Sequence, residues 1–436
     1  MPVVAIVGRP NAGKSTLFNL LIGEHRAIVG PQRGITRDRI YGRWSLGEGM
    51  DVDLVDTGGF DTIGDIALSG SVREQTMLAI ADADLIICLF DGRQPPTPDD
   101  RELVDILRRR RARVIYVANK VDDPSLSHVS APLYELGIDE PVEVSALNRR
   151  GIRELSDAVR QSLGGLALAS VEQDTSAVRV SIMGRPNVGK SMLLNRIIGQ
   201  DRAIVSPEAG TTRDYVDISV KHQGREYVFV DTAGVRRRAR IDDQIERLSV
   251  MRTLQNIAKS HVCLLLVDTL EGMTDQDKRL CGLIMDHGRA FVLVVNKADL
   301  VDDKDARVVR DRVRHSLRFM PDAPVVFTSA LTGRNVEGLY PLIESLFAKT
   351  TSRVSTGKLN RLLNDINTTH TPPVVKNRPL KLYYITQTGT VPPRFQVVVN
   401  APESVPASYA RFLMHSIKKA CDMEGIPVMV HFSPRR

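Results

Sequence analysis

The chain has 436 residues, too many for one ordinary hydrophobic core, so several domains are expected. Its 42% hydrophobic and 25% charged residues are those of a soluble globular protein, and no apolar run approaches membrane-spanning length. The net charge of +7 is uneven: Thr351–Arg436 carries 12 Lys/Arg against 4 Asp/Glu, which points to a polyanionic partner for that segment alone.

The N-terminus, "MPVVAIVG", has no basic lead-in and meets a glycine loop at once, so no secretory signal is expected and the chain reads as cytoplasmic. A predicted strand at Val3–Val7 runs into "GRPNAGKST" and then a helix. Gly-x-x-x-x-Gly-Lys-Ser in that setting is a phosphate loop, whose backbone N–H groups and helix N-terminus face anionic oxygens. Gly8, Arg9, Pro10, Asn11, Ala12 and Gly13 form the cradle. Lys14 would reach the β- and γ-phosphates, and Ser15, followed by Thr16, would offer a hydroxyl to Mg²⁺. Thr36, in "GITRD", can offer a second hydroxyl only when a γ-phosphate is present.

Further strands are predicted at Val52–Val55, Leu85–Phe90, Val114–Ala118 and Val142–Val144, alternating with helical patterns. That alternation specifies an α/β fold, a mostly parallel sheet covered by helices. Asp56 ends a strand, where a carboxylate belongs to hold the Mg²⁺ shell; Thr57, Gly58, Gly59 and Phe60 follow, with the Gly59 amide aimed at the γ-phosphate. Base identity falls to "NKVD". Asn119 braces the loop, Lys120 lays its stem over the base, and Asp122, after Val121, can accept both guanine N1–H and the 2-amino group. Adenine offers neither donor, and a carboxylate left unpaired discriminates by roughly 10⁴ or more. Ser145 and Ala146 complete the site, the latter with a backbone N–H for guanine O6.

Residues 1–163 thus read as one nucleotide-binding domain, and Gly164–Ala177, small, polar and aperiodic, as a linker. Then the pattern returns about 176 residues later. "GRPNVGKSM" carries Gly184, Arg185, Pro186, Asn187, Val188, Gly189, Lys190, Ser191 and Met192, and "GTTRD" carries Thr212. "DTAGV" carries Asp231, Thr232, Ala233, Gly234 and Val235; "NKAD" is Asn296, Lys297, Ala298 and Asp299; "TSAL" holds Ser329 and Ala330. Strands are predicted at Val178–Met183, Tyr227–Val230, Val262–Val267, Phe291–Val295 and Val325–Thr328. Matched stretches in one order are a tandem duplication over residues 178–350, and both halves are expected to bind GTP with Mg²⁺. The catalytic set is Lys14, Thr36 and Gly59 in one, Lys190, Thr212 and Gly234 in the other.

After the repeat, residues 351–436 read as a small α+β domain. "TGKLNRLLNDINTTH" is helical, "PPVVKNRPLKLYYITQ" and "RFQVVVN" are strands, "SYARFLMHSIKKACDMEG" is a helix closed by Gly425, and "PVMVHFS" is a last strand. Cys88, Cys263, Cys281 and Cys421 have no metal-site spacing and read as buried thiols. Phe60 and Val235 stand where Ras-like GTPases keep a water-orienting glutamine, so another device is needed. The amides of Asn11 and Asn187 could hold a monovalent cation, K⁺, that neutralises transition-state charge, or could merely brace their loops.

These motifs carry a resemblance over essentially the whole chain. It is similar to the Der (EngA) family, bacterial GTPases of the Era-like group with two tandem G domains and a C-terminal KH-like domain. The resemblance implies a cytoplasmic, K⁺-stimulated GTPase that binds ribosomal RNA and assists late assembly of the large (50S) ribosomal subunit; a monomer without DNA or membrane partners is expected. Met192 departs from its counterpart Thr16, beside an intact Ser191. The C-terminal segment has no GXXG, the loop with which KH modules clamp nucleotides. RNA contact is therefore expected from the charge of Lys376, Arg378, Lys381, Arg394, Lys418 and Lys419, with Tyr383, Tyr384 and Phe395 in the core. Of two arginine clusters, Leu107–Arg113 reads as solvated surface at a helix end and Val235–Arg240 as a nucleotide-sensitive switch. A pure binding module, with one half as ballast, is the rival reading; intact lysine, serine and aspartate in both halves argue against it.

Overall fold

The computed structural model describes residues 1–23, 41–47, 50–58, 77, 79, 82–122, 132–167, 177–200, 202–204, 217–232, 249–369, 372–375 and 378–435. They fall in two compact units, one carrying the first repeat, the other carrying the second repeat together with the C-terminal segment.

In the first unit the order is β1 (Val3–Val7), α1 (Lys14–Gly23), β2 (Tyr41–Ser45), β3 (Asp51–Asp56), β4 (Leu85–Asp91), α2 (Pro98–Arg109), β5 (Val114–Asn119), β6 (Val142–Glu143) and α3 (Ile152–Ala167). The sheet runs β2-β3-β1-β4-β5-β6, with β2 antiparallel to β3 and the other pairs parallel. β1 and β4 are buried at every position, as strands covered on both faces must be. β2 is different: Trp44, the only tryptophan of the chain, is its one buried residue and joins Phe18 and Leu21 in the core.

The second unit repeats the plan with β7 (Ala177–Gly184), α4 (Lys190–Gln200), β8 (Arg202–Ile204), β9 (Ile218–His222), β10 (Arg225–Phe229), β11 (Val262–Asp268), α5 (Asp275–Asp286), β12 (Ala290–Asn296), α6 (Asp303–Ser316), β13 (Val325–Phe327) and α7 (Leu339–Thr351). Its sheet runs β13-β12-β11-β7-β10-β9-β8. The predicted strands are all present, and each sheet is extended at one side by antiparallel strands absent from the sequence reading: β2 in one, β9 and then β8 in the other.

The C-terminal part of this unit adds α8 (Thr356–Thr369), a short β14–β15 ribbon (Val374–Val375, Arg378–Pro379), β16 (Leu382–Gly389), β17 (Arg394–Val399), α9 (Ala407–Ala420) and β18 (Met429–Pro434). β16-β17-β18 form one sheet, and its apolar residues Leu382, Ile385, Phe395 and Val397 share a core with Leu359 and Leu363 of α8 and Leu413 and Ile417 of α9. Three expectations are corrected here. The last helix ends at Ala420, with Asp422 taking the left-handed position (φ 55), and Gly425 lies beyond it. Gly425 (φ 84) instead meets the Asp322 carbonyl, 3.1 Å from where a Cβ would stand. Phe395 is buried, but Tyr383 and Tyr384 are 39% and 47% exposed. Lys418 is half-buried; desolvation pulls its ammonium below the usual range, against the attraction of Asp322, so it belongs to this packing and not to the open surface.

Candidate functional site

Each phosphate loop leaves the C-terminal end of its first parallel strand, where a doubly covered sheet opens a crevice. Asn11 (φ 63) and Asn187 (φ 59) take left-handed backbone, which asparagine tolerates better than most residues. Gly13 (φ 95) and Gly189 (φ 98) are held to glycine twice over, because a Cβ would also run into the side-chain amide of Asn119 or Asn296. Lys14 is buried, its ammonium donating to the carbonyls of Gly8 (2.8 Å) and Arg9 (3.0 Å). Lys190 does the same with Gly184 (2.7 Å) and Arg185. Pro10 and Asn11 are exposed and Ala12 is buried; Pro186 is half-buried, Asn187 exposed and Val188 buried.

A single buried amide ties each phosphate loop to its base loop. Asn119 Nδ2 donates to the Ala12 carbonyl (2.9 Å) and its Oδ1 accepts from Ala146 N–H (3.1 Å). Asn296 repeats this with Val188 (2.8 Å) and Ala330 (3.0 Å). Lys120 and Lys297 are gripped by Asp91 and Asp268, each at 2.7 Å, which fixes where their stems lie. Burial opposes ionisation of those carboxyls, yet the ammonium and backbone N–H groups hold both below their usual range. The sequence reading missed Asp91 and Asp268, although both end apolar strands and recur at the repeat offset. Asp122 accepts from Ser145 Oγ (2.7 Å), Arg93 and Asn148 Nδ2 (3.1 Å), and these hydrogen bonds, Ser145 foremost, lower its carboxyl. Val121 and Ala298 are buried behind their loops, Ser329 is fully buried, and Asp299 is exposed on the short turn Ala298–Leu300.

At the other end of the first site, Ser15 Oγ donates to Asp56 Oδ2 at 2.6 Å, while Asp56 Oδ1 accepts from Gly58 N–H and Thr57 Oγ1 anchors to the Ile6 carbonyl. A hydroxyl and a carboxylate converging this way fit Mg²⁺, which takes hard oxygen ligands. In the second site Asp231 (φ 50) accepts from Asn256 Nδ2 at 3.0 Å, beside buried Thr232. The donor types there are the same. Thr16 and Met192 are exposed, so the difference between them costs no packing. Thr36, Gly59, Phe60, Thr212, Ala233, Gly234, Val235 and the rest of the Val235–Arg240 cluster lie outside the described residues, as does Lys376.

The loop arginines turn away from the cradle. Arg185 Nε reaches both carboxylate oxygens of Asp277 (3.1 and 3.0 Å) and Nη1 reaches Glu271 (2.7 Å); Arg9 lies 3.6 Å from Asp100 and donates to Gln94. Asp100 and Asp277 also close the capping boxes with Thr97 and Thr274 that start α2 and α5. One carboxylate therefore fixes both a helix start and a phosphate loop, a link the sequence reading did not draw. Of the other arginine cluster, Arg108–Arg111 are exposed at the end of α2, and Arg108 caps the Gly137 carbonyl.

Two mostly parallel-sheet domains, each with a phosphate loop braced to an Asn-Lys-x-Asp loop, define a tandem P-loop GTPase. Residues 3–120 and 179–297 each match the family model described as 50S ribosome-binding GTPase, and residues 353–433 match the KH-domain-like C-terminal domain of EngA bacterial GTPase enzymes. Among curated relatives, the GTPase Der of Moorella thermoacetica is 43% identical over 99% of this chain and 98% of its own. Those of Syntrophobacter fumaroxidans and Syntrophotalea carbinolica are 42% and 41% identical, each over 100% of this chain and 99% of theirs. The chain belongs to the Der family of GTPases: it binds GTP and GDP and hydrolyses GTP. Among the described residues no helix is long and apolar enough to cross a membrane, and the four cysteines are buried free thiols.

Proposed function

We propose that this GTPase binds ribosomal RNA in the cytoplasm and assists late assembly of the large (50S) ribosomal subunit, acting as a monomer whose nucleotide state sets the arrangement of its domains (1–163, 178–350 and 351–436, joined by the 164–177 linker). The observation that carries this reading is the conjunction of two full sets of nucleotide-site motifs in the sequence with a C-terminal domain carrying 12 Lys/Arg against 4 Asp/Glu. Arg378, Lys381, Arg394 and Lys419 are exposed on that domain and available to phosphates. In each site the lysine exchanges its loop carbonyls for the β- and γ-phosphates, while Thr36 with Gly59, and Thr212 with Gly234, answer the γ-phosphate. Ser15 and Asp56, or Ser191 and Asp231, would hold Mg²⁺, which supplies charge neutralisation on the phosphate oxygens.

Two switches acting on one arrangement add their coupling free energies, each typically about 1–3 kcal/mol. Lys14→Ala and Lys190→Ala should therefore each reduce association with large-subunit precursors in a non-hydrolysable GTP analogue, read by co-sedimentation. A variant that sediments like wild type would make its half a scaffold. Asn11 and Asn187 serve K⁺ in this reading, and turnover should be faster in K⁺ than in Na⁺. Asn11→Gly and Asn187→Gly keep the left-handed backbone and remove only the amide, so each should lose the gain at its own site. Equal rates in both salts for wild type would sink the K⁺ role.

A further inference from the structure

A regular strand sends neighbouring side chains to opposite faces, so one of Tyr383 and Tyr384 should be in the core. Neither is. Leu382 pairs with Val399 but Tyr384 pairs with Val398, so β16 spends an extra residue there, a β-bulge. Leu382 and Ile385, three residues apart, both point into the core (6% and 2% exposed), and the two rings between them stay outside. Bulges of this kind re-aim side chains. The guanidinium of Arg435, beyond the end of β18, lies 5.1 Å from the Tyr383 ring centre, while Arg378 and Lys381 are exposed on the approach to the strand.

Resting on the RNA-binding reading above, we infer that Tyr383, Tyr384 and Arg435 form a stacking platform for unpaired bases of RNA, with Arg378 and Lys381 beside it to meet the phosphates. Three observations select this occupant. The patch pairs flat π-faces with cations, in the domain that carries the charge excess, which suits single-stranded nucleic acid. On either side of the two tyrosines the outer edge of β16 is already occupied: Asn360 donates to the Ile385 carbonyl (3.3 Å) and accepts its N–H (3.1 Å), and Asn367 donates to the Leu382 carbonyl (3.4 Å). A peptide strand adding to that edge would find those groups taken, so recognition falls to side chains. Finally, the sheet meets the second G domain at its other end, where a Cβ on Gly288 would lie 2.5–2.9 Å from Pro392 and Met429. Met429 pairs with Arg394 at that end, whereas Leu382 and Pro434 both pair with Val399 at the platform end, about 17 Å away at 3.3 Å per residue. With no GXXG loop, bases here are held by stacking.

The test uses the full-length protein, an unstructured single-stranded RNA oligonucleotide and a blunt-ended RNA duplex of equal charge. Tyr383→Ala/Tyr384→Ala should weaken single-strand binding about 10- to 100-fold. The salt dependence should keep its slope because no cation is lost, and the duplex affinity should not change. Tyr383→Phe/Tyr384→Phe should bind as wild type; Tyr383→Leu/Tyr384→Leu, which keeps the apolar body, should lose as much as the alanine variant and guards against misfolding. Wild-type affinity of both ring-less variants for the single strand overturns the platform while leaving RNA binding intact. Equal losses on both probes also overturn it. A wild-type protein that binds neither RNA fails the underlying reading itself.

Discussion

Asp122→Asn is expected to turn the first site from guanine toward xanthine nucleotides, and Asp299→Asn to do the same at the second, each with a loss of GTP preference of about 10⁴. The carboxylate accepts two N–H groups of guanine; an amide donates at one of those positions and matches a base with a carbonyl at C2. The substitution is small enough to leave the loop standing. Ser145 Oγ and Asn148 Nδ2 both meet Asp122 Oδ1, an acceptor that the asparagine amide retains. Competition of GTP and XTP, with the other site disabled by Lys190→Ala or Lys14→Ala, reads each site alone. Unchanged GTP preference would strip that aspartate of its base-reading role.

The second unit should lose stability as pH falls from about 6.5 toward 4, and His261 should be a main cause. Its ring is fully buried, tilted against Phe347 with centroids 4.9 Å apart, and its Nδ1 accepts the Arg179 N–H at 3.0 Å. Burial first, then the charges of Arg289, Arg179 and Arg225, push its pKa down from 6.5 to about 4. The unfolded chain takes up this proton from about pH 6.5 downward, while the folded chain refuses it until about pH 4. Folding is therefore penalised progressively across that window, by about 3 kcal/mol in all, and no further below it. Above pH 6.5 the imidazole is neutral in both states and the penalty vanishes. Neutral at every pH and still an acceptor, glutamine in His261→Gln should flatten the unfolding profile between pH 4.5 and 7. A variant with the same pH slope as wild type would refute the assignment.

How much of this was legible depends on what each feature demands of the sequence. β1, β4, β11 and β12 are buried on both faces, and a strand of that kind can only be a continuous apolar run. β2 and β9 were not legible because "YGRWS" and "ISVKH" bury one and two residues, too few to register as a pattern. The phosphate and base loops announce themselves because left-handed backbone and close approach admit so few residue types. The Arg185–Asp277 contact joins segments 92 residues apart, and only the repeat offset hinted at it. Lys418 looked like a surface charge at a helix end, yet Asp322 comes from outside its helix, and no local pattern reveals that. The tyrosine pair misled for a sharper reason: two aromatics in an apolar strand imply core unless the register slips between them.

The single tryptophan has a practical consequence for dissecting a duplicated protein. Trp44, on β2 of the first sheet, is only 2% exposed, so the chain's indole fluorescence is a private reporter of the first repeat. Emission followed during denaturation sees that repeat melt and is silent on the second, whose melting appears only in circular dichroism or calorimetry. Two modules built on one plan, which otherwise report together, come with a spectroscopic label on one of them.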